Sequence, residues 1–331
     1  MTHSSKTPGY PSRNFPGGDV DINRSQGEID WLESAFNVLV WGFASASAAV
    51  LFWICLIVFR DAWPAIREYG ISFLWSREWN VSQLVFGALP FIYGTLVTSF
   101  LGLLLAVPTG LAVALVTSED FLPLWLRSPI AFLVELIAAI PSVIIGLWGI
   151  FVFIPVILPL QQILYQNLGW LPLFNTDPFG FGMLSAGMVL SIMILPTMAA
   201  ISRDVLLAVP RDLRSASMSL GATRWETLCK IIIPSAGSGM LGAAILALGR
   251  ALGETMAVTM VIGNSIQISP SLLAPGYTIP AVLANQFGEA LDELHIGSLM
   301  YLALVLFAIT LIVNMIAVIL VQFIGKKGIR N

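Results

Sequence analysis

Residues 235–262 read SAGSGMLGAAILALGRALGETMAVTMVI, an apolar run of bilayer length that carries two charged residues, Arg250 and Glu254. A helix needs about 20 predominantly apolar residues to cross the hydrocarbon core of a membrane. Over the whole chain of 331 residues, 57% are hydrophobic and only 11% are charged. Soluble domains carry roughly 25% charged residues, so the sequence predicts a membrane protein.

Similar apolar runs lie on either side of this one, and each is bounded by Pro, Gly, charged or aromatic residues. They predict an all-α membrane protein with six transmembrane helices and prolines inside several of them. Residues 1–30 are rich in Ser, Gly, Pro and Asn, so we expect a disordered tail there, followed by a transmembrane domain over 31–331. The predicted spans are residues 36–59, 92–117, 129–155, 183–208, 235–262 and 297–324.

The basic residues predict the orientation of the chain. Lys and Arg concentrate in the N-terminal tail, in residues 203–230 and at the C-terminus. Because cytoplasmic loops carry an excess of Lys and Arg, both termini and the segment 211–230 are predicted to be cytoplasmic, in a multi-pass plasma (inner) membrane protein. The net charge of −3 and the lack of a concentrated basic patch argue against nucleic-acid binding.

Arg250 and Glu254 are four residues apart and therefore share one face of a helix. A charge at the bilayer centre costs at least about 2.5–3.5 kcal/mol, so such residues suggest function. One interpretation places Arg250 on the path of a tetrahedral oxyanion, with Glu254 as its counter-charge when the path is empty. The other is a structural ion pair that fixes helix register. Glu135, in the third predicted span, either faces the same path or lies in a satisfied interface.

The sequence predicts no catalytic residue and no metal site. His295 lies beside Asp292 and Glu293 in the last outer loop, which is more typical of a solvated surface cluster than of metal ligands. The chain has no G-x-x-x-x-G-K-[ST] motif, so it cannot hold nucleotide phosphates by that route, and we expect no cofactor on this chain. If ATP drives the protein, another subunit binds the ATP and its magnesium.

The segment 211–230 contains a helix-forming stretch, Ser215 to Gly221, and nine intervening residues separate Gly221 from Ile231, which is followed by Pro234. A connection between two helices needs only a few residues. This longer segment therefore predicts either a docking element or an ordinary amphipathic connector.

Its spacing resembles the E-A-A-x₃-G-x₉-I-x-L-P signature of the permease subunits of ABC importers, whose coupling helix sits in a cleft on the ATPase subunit. Gly221, Ile231 and Pro234 match, whereas Ser215 stands where those permeases usually have Glu. Ser217 replaces the second Ala, and Ile233 replaces Leu. The resemblance implies that the ATPase is contacted by Ser215, Ala216, Ser217, Gly221, Ala222, Arg224, Trp225 and Glu226.

From about residue 30 to the end, the chain resembles the PstC family of permeases of phosphate-specific ABC importers. The resemblance rests on GALPFIYGTL at 87–96, IPSVIIGLWG at 140–149, ILPT at 194–197, LGATRWET at 220–227 and LGRALGETMAV at 248–258. It implies a MetI-like, type I importer permease with kinked helices. The implied partners are a PstA-like permease, a PstB-like ATPase dimer that holds ATP and magnesium, and a PstS-like phosphate-binding protein outside.

For this family we expect inorganic phosphate to pass Arg250, Glu254, Glu135, Thr255 and Ser142. Three alternatives stay open at the level of sequence. The chain is a permease for another oxyanion such as molybdate or sulfate, it is the PstA-type partner, or it is an ion-coupled carrier or membrane enzyme without an ATPase. The last class would show inverted repeats with interrupted helices, or an intramembrane nucleophile with a base, and the sequence indicates neither.

Overall fold

The computed structural model describes residues 22–119 and 121–328, and it is helical almost throughout. By its internal contacts the chain divides between Leu56 and Ile57 into two compact units. The helices are α1 (Ile22–Tyr69), α2 (Leu89–Ser118), α3 (Leu124–Ala139), α4 (Ser142–Trp148), α5 (Ile154–Leu168), α6 (Met183–Ala208), α7 (Arg211–Ser219), α8 (Arg224–Thr227), α9 (Ile233–Gly253), α10 (Met256–Val261), α11 (Ile279–Gln286) and α12 (Glu293–Gly328).

Six helical stretches of the described residues are long and apolar enough to cross a membrane, which confirms the predicted fold class. The predicted spans 36–59, 92–117, 183–208 and 297–324 each overlap one of these stretches. The six are Glu33–Leu74, Leu89–Ser118, Ser142–Leu168, Met183–Ala208, Arg224–Gly253 and Glu293–Ile319.

The first unit consists, in its described part, of the N-terminal portion of α1. This helix begins at Ile22, so residues 22–30, which we predicted as part of a disordered tail, are helical. Extending an existing helix costs much less than nucleating one, and the apolar run that follows supplies the nucleus. Residues 1–21 of the predicted tail lie outside the described residues.

The third predicted span, 129–155, is interrupted in the structure. Helix α3 ends at Ala139, Ile140 and Pro141 have extended backbone, and α4 begins at Ser142. Proline disfavours helical geometry in the residue before it, which explains the break at Ile140. From Ser142 the helix continues through a π-helical stretch, Gly149–Phe153, into α5, so the spanning helix is Ser142–Leu168.

The fifth predicted span, 235–262, is interrupted as well. Helix α9 ends at Gly253, Glu254 has extended backbone, and the short helix α10 begins at Met256. Upstream, a π-helical stretch over Leu228–Ile232 joins α9 to α8. Arg250 therefore lies in the last turn of α9, and the sequence did not predict the break that follows it.

Helix α6 is at the centre of the second unit, with 67% of its apolar window buried. It packs closely against α2 because glycines occupy their interface. A methyl group at Gly110 would lie 2.8 Å from Met198 Cγ, and one at Gly187 would lie 2.7 Å from Leu101 Cβ. Small residues let helices approach closely within a membrane, so α2 and α6 form a tightly packed pair.

The predicted outer side of the second unit is organised around a buried aromatic cluster that includes His295. His295 is only 4% exposed and its ring stacks on Phe86, with centroids 5.3 Å apart. Its Nε2 lies 3.2 Å from Gln286 Oε1, which also accepts a hydrogen bond from Trp79 Nε1 at 2.9 Å. The prediction of a solvated surface cluster around His295 was wrong, because loop aromatics that are distant in sequence cover it.

At the predicted cytoplasmic end, a smaller apolar cluster anchors the segment that connects α6 to α9. Leu206 and Val209 of the α6 end pack with Leu228 and Ile232, and Ala114 of α2 completes the contact. These buried side chains fix where α7 and α8 lie against the ends of α2 and α6.

Candidate functional site

Arg250 lies in the last turn of α9 with an exposed side chain. Its Nη1 donates a hydrogen bond to Thr197 Oγ1 at 3.0 Å. The carboxyl end of a helix carries partial negative charge that favours a cation there. The guanidinium is therefore stabilised by its own helix and oriented by a hydroxyl of α6.

Thr197 is a residue that the sequence analysis did not select for the site. It follows Pro196 inside α6, and the run ILPT had been used only to support the family resemblance. The sequence did contain one indication of its role. Proline frees backbone carbonyl groups in a membrane helix, and a neighbouring Ser or Thr hydroxyl is often placed there to satisfy them.

Glu254 lies just beyond the end of α9, four residues after Arg250. Its Oε1 lies 3.4 Å from the backbone N of Ala257 in the first turn of α10. A carboxylate is favourable at that position because the first amides of a helix lack partners within the helix. The ion pairs between described residues join Arg214 to Glu119 and Lys230 to Glu226, and the expected pair between Arg250 and Glu254 is not among them.

Thr255 and Ser142 mark the two helix interruptions. Thr255 Oγ1 donates to the carbonyl of Gly253 at 3.2 Å, and Ser142 is the first residue of α4. Helices α4 and α10 pack on each other so closely that a methyl group at Gly146 would lie 3.2 Å from Ala257 Cα. The structure thus packs α4, which begins at Ser142, against α10, which directly follows Thr255.

Glu135 lies on α3 beside α6, the helix that carries Thr197. It is exposed on α3 and lines a cavity of about 390 Å³ together with Arg127 and Arg203. Arg203 lies near the C-terminal end of α6, and its Nε is buried without a hydrogen-bond partner among the described residues. From the sequence, Arg203 was interpreted only as one of the basic residues that predict the orientation of the chain in the membrane.

The coupling segment, residues 211–230, folds as α7, a turn and α8. Gly221 has a φ of +85°, a left-handed geometry that glycine adopts without strain. Thr223 then caps α8 reciprocally with Glu226: the backbone N of Glu226 lies 3.3 Å from Thr223 Oγ1, and the backbone N of Thr223 lies 3.0 Å from Glu226 Oε2. This capping box gives the turn a defined geometry.

Most of the predicted contact residues of the coupling segment are exposed. Ser217 is the exception, because it is buried and its hydroxyl lies 2.9 Å from that of Thr227. Ala222 is half-buried. Large apolar side chains are exposed on the same segment, notably Leu220 at 89% and Trp225 at 65%. The exposed members of the predicted set are Ser215, Ala216, Gly221, Arg224, Trp225 and Glu226.

Six membrane-length helices of the described residues, a cation at the end of one of them and an exposed helical segment between α6 and α9 fit a membrane-embedded transport subunit. Residues 106–328 match the family described as "Binding-protein-dependent transport system inner membrane component". The chain belongs to this family, and it is accordingly a multi-pass inner membrane protein.

Two relatives make the similarity more specific. The chain is 44% identical over 271 residues to the "Phosphate transport system permease protein PstC" of Pasteurella multocida (strain Pm70), covering 80% of this chain and 84% of that protein. It is 45% identical over 268 residues to the protein of that name from Xylella fastidiosa (strain 9a5c), covering 80% and 82%. The resemblance that the sequence motifs predicted is confirmed.

A solved structure shows the same fold. The MetNI methionine ABC transporter in an inward-facing conformation matches with a TM-score of 0.50 and 17% identity, covering 72% of this chain and 94% of that chain. The expected MetI-like permease fold is therefore confirmed.

Proposed function

We propose that this chain is the permease subunit of an ATP-driven importer of inorganic phosphate. The observation that carries the proposal is the similarity of 44–45% identity over 80% of the chain to phosphate permeases named PstC. This similarity favours phosphate over other oxyanions such as molybdate or sulfate, and it favours the PstC role over that of the partner permease.

Arg250 is the residue that we propose to meet phosphate. A guanidinium presents donors in a fork that matches the oxygens of a tetrahedral oxyanion. The single hydrogen bond from Nη1 to Thr197 uses one of its five donors, and the side chain is exposed. Phosphate near neutral pH carries roughly one to two negative charges, so one cation in a solvated path binds it weakly enough for release.

The other predicted path residues take lesser roles in this proposal. Thr255 and Ser142 supply hydroxyl groups at the two interruptions, and Glu254 keeps the first turn of α10 in place. Glu135 lines a cavity together with Arg203, and in this proposal phosphate passes it where the path borders α3.

The partners in the proposal follow from the exposed coupling segment and from the family of the chain. A PstB-like ATPase dimer binds ATP and magnesium, and it docks on the exposed coupling segment, where Leu220 and Trp225 offer apolar contacts. A PstA-like permease completes the translocation path, and a PstS-like protein delivers phosphate at the outer face. Both termini lie in the cytoplasm, and this chain itself binds no cofactor.

The proposal is tested in proteoliposomes that contain the complete complex and an ATP-regenerating system. We expect uptake of labelled phosphate that requires ATP and the binding protein and that excess sulfate or molybdate does not inhibit. Arg250→Gln is expected to abolish uptake while the complex still assembles. The matched control is Arg67→Gln, which removes an exposed arginine at the end of α1.

Two results would contradict parts of the proposal. Uptake that persists without the ATPase and collapses with an ionophore would exclude an ATP-driven importer. Phosphate uptake by Arg250→Gln at the rate of the control would remove Arg250 from the path and leave the class of transporter intact.

A further inference from the structure

The coupling segment is attached to the cytoplasmic end of α2 by a shielded ion pair. Arg214 Nη1 of α7 donates a hydrogen bond to Glu119 Oε2 at 3.4 Å, and Nη2 lies 3.0 Å from Oε1, an ion-pair distance without hydrogen-bond geometry. The two side chains are only 23% and 14% exposed. Removal from water weakens screening by solvent and salt, so the two charges attract each other more strongly than those of a surface pair.

The same guanidinium also reaches α6. Arg214 Nη2 donates a hydrogen bond to the carbonyl of Leu206, in the last turns of α6, at 2.9 Å. One side chain therefore connects α7 to two spanning helices that are far apart in sequence.

A second connection runs through α8. Trp225 stacks on Phe121, which follows α2 in the chain, with ring centroids 5.0 Å apart and planes 25° apart. Inside the segment, the hydrogen bond between Ser217 and Thr227 ties α7 to α8. The ion pair and the ring of Phe121 border one cavity of about 230 Å³, so both connections start from the same part of the chain after α2.

The helices that receive these contacts are packed closely together. Gly110 and Gly187 leave no space for a methyl group at the interface of α2 and α6. Helix α6 also carries Thr197, which holds Arg250. A displacement of α7 that is transmitted to the ends of α2 and α6 therefore changes the position of Thr197 relative to α9.

We propose that Glu119 and Arg214 are positioning residues that transmit movement of the coupling segment to the α2–α6 pair. The inference rests on the proposed function, because it assumes that an ATPase moves this segment. Breaking the pair is expected to leave ATP hydrolysis largely intact while phosphate movement per ATP falls. A residue that only stabilised the fold would lower both activities together.

The test measures phosphate uptake and ATP hydrolysis in the same proteoliposomes for Glu119→Gln, Arg214→Gln and the double variant. We expect the ratio of phosphate to ATP to fall by about threefold or more in each single variant. The double variant should be no worse than Arg214→Gln, because that change already removes the ion pair together with the hydrogen bond to Leu206. Asp204→Asn, which neutralises an exposed acid on α6, is the matched control and should keep the wild-type ratio.

A rescue experiment separates transmission from general damage to the fold. Cysteines replace Glu119 and Arg214 in a chain that also carries Cys55→Ser and Cys229→Ser, and a bis-maleimide about as long as the two side chains joins them. Cross-linking is expected to restore the ratio of phosphate to ATP, whereas a monofunctional maleimide should not.

Each outcome bears on the inference. Unchanged ratios in the single variants, a parallel loss of hydrolysis and uptake, or failure of the cross-link to restore the ratio would overturn it. If the wild-type complex takes up no phosphate with ATP, the proposed function fails and this inference fails with it. If the wild-type complex transports and the variants match it, only the inference fails.

Discussion

At the scale of single residues, the sequence identified the cation but not its partner. Arg250 was conspicuous because a charge in an apolar run is costly. Thr197 was not, since a threonine in a membrane helix usually donates to a carbonyl of its own helix, as Thr95 and Thr98 do here. Glu254 was expected to face Arg250, but the end of α9 at Gly253 turns its carboxylate toward α10.

Removal of the Thr197 hydroxyl should weaken phosphate binding. Thr197→Val keeps the shape of the side chain but leaves the Arg250 guanidinium without that acceptor, and hydrogen bonds to charged groups contribute about 1.5–3 kcal/mol when shielded. We expect KM for phosphate uptake to rise by about threefold to tenfold. This rise is smaller than the free energy of a shielded hydrogen bond would give, because the Arg250 side chain is exposed to solvent. Thr197→Ser should be close to wild type.

Thr310→Val is the control for this experiment, because Thr310 Oγ1 donates only within α12, to Leu306, at 2.8 Å. The prediction is contradicted if Thr197→Ser raises KM as much as Thr197→Val does, which would indicate a role of the methyl group in packing.

At the scale of helices, hydropathy predicted how many spans there are but not where they break. The runs 129–155 and 235–262 are continuous in apolar character, yet the structure interrupts them near Pro141 and at Glu254. Pro141 explains the first break locally, whereas no proline lies near the second break, at Glu254. The contact of α4 with α10 at Gly146 involves residues more than a hundred positions apart, so no local pattern could reveal it.

Gly94 of α2 should not tolerate a side chain. A methyl group there would lie 2.2 Å from the backbone oxygen of Tyr277, and overpacking of this kind costs about 1–3 kcal/mol. We expect Gly94→Ala to lower the thermal unfolding temperature of the purified chain in detergent. Gly242→Ala is the control, because nothing lies within 4 Å of a methyl group at that position of α9. Equal unfolding temperatures for the two variants would disprove the contact.

At the scale of the whole molecule, the family and fold were predictable because they depend on spaced motifs and on composition. The number of spans follows from hydropathy, and the resemblance to phosphate permeases follows from runs such as that at 248–258. The burial of His295 was not predictable, since it depends on Phe86 and Trp79, which fold over it from a loop some 200 residues earlier.

The predicted orientation can be checked with the two native cysteines. Cys229 is exposed in the coupling segment, so in a Cys55→Ser chain a membrane-impermeant maleimide should label it in inside-out vesicles and not in right-side-out vesicles. Leu291→Cys in a chain lacking both native cysteines should show the reverse, because Leu291 is 95% exposed in the loop between α11 and α12, which is predicted to lie outside. Labelling of Cys229 from the outside would contradict the cytoplasmic location of the coupling segment.

The glycine contacts also constrain how relatives of this chain can diverge. At Gly110 the neighbours are Cγ and Cβ of Met198, at 2.8 and 2.9 Å. Glycine at 198 removes both atoms, so a larger residue at 110 should be accompanied by glycine at 198, and the two positions should vary together among homologues. At Gly94 the neighbour is the carbonyl group of Tyr277, which every amino acid possesses. No second substitution can compensate there. Position 94 should therefore stay invariant among homologues, whereas positions 110 and 198 should change together.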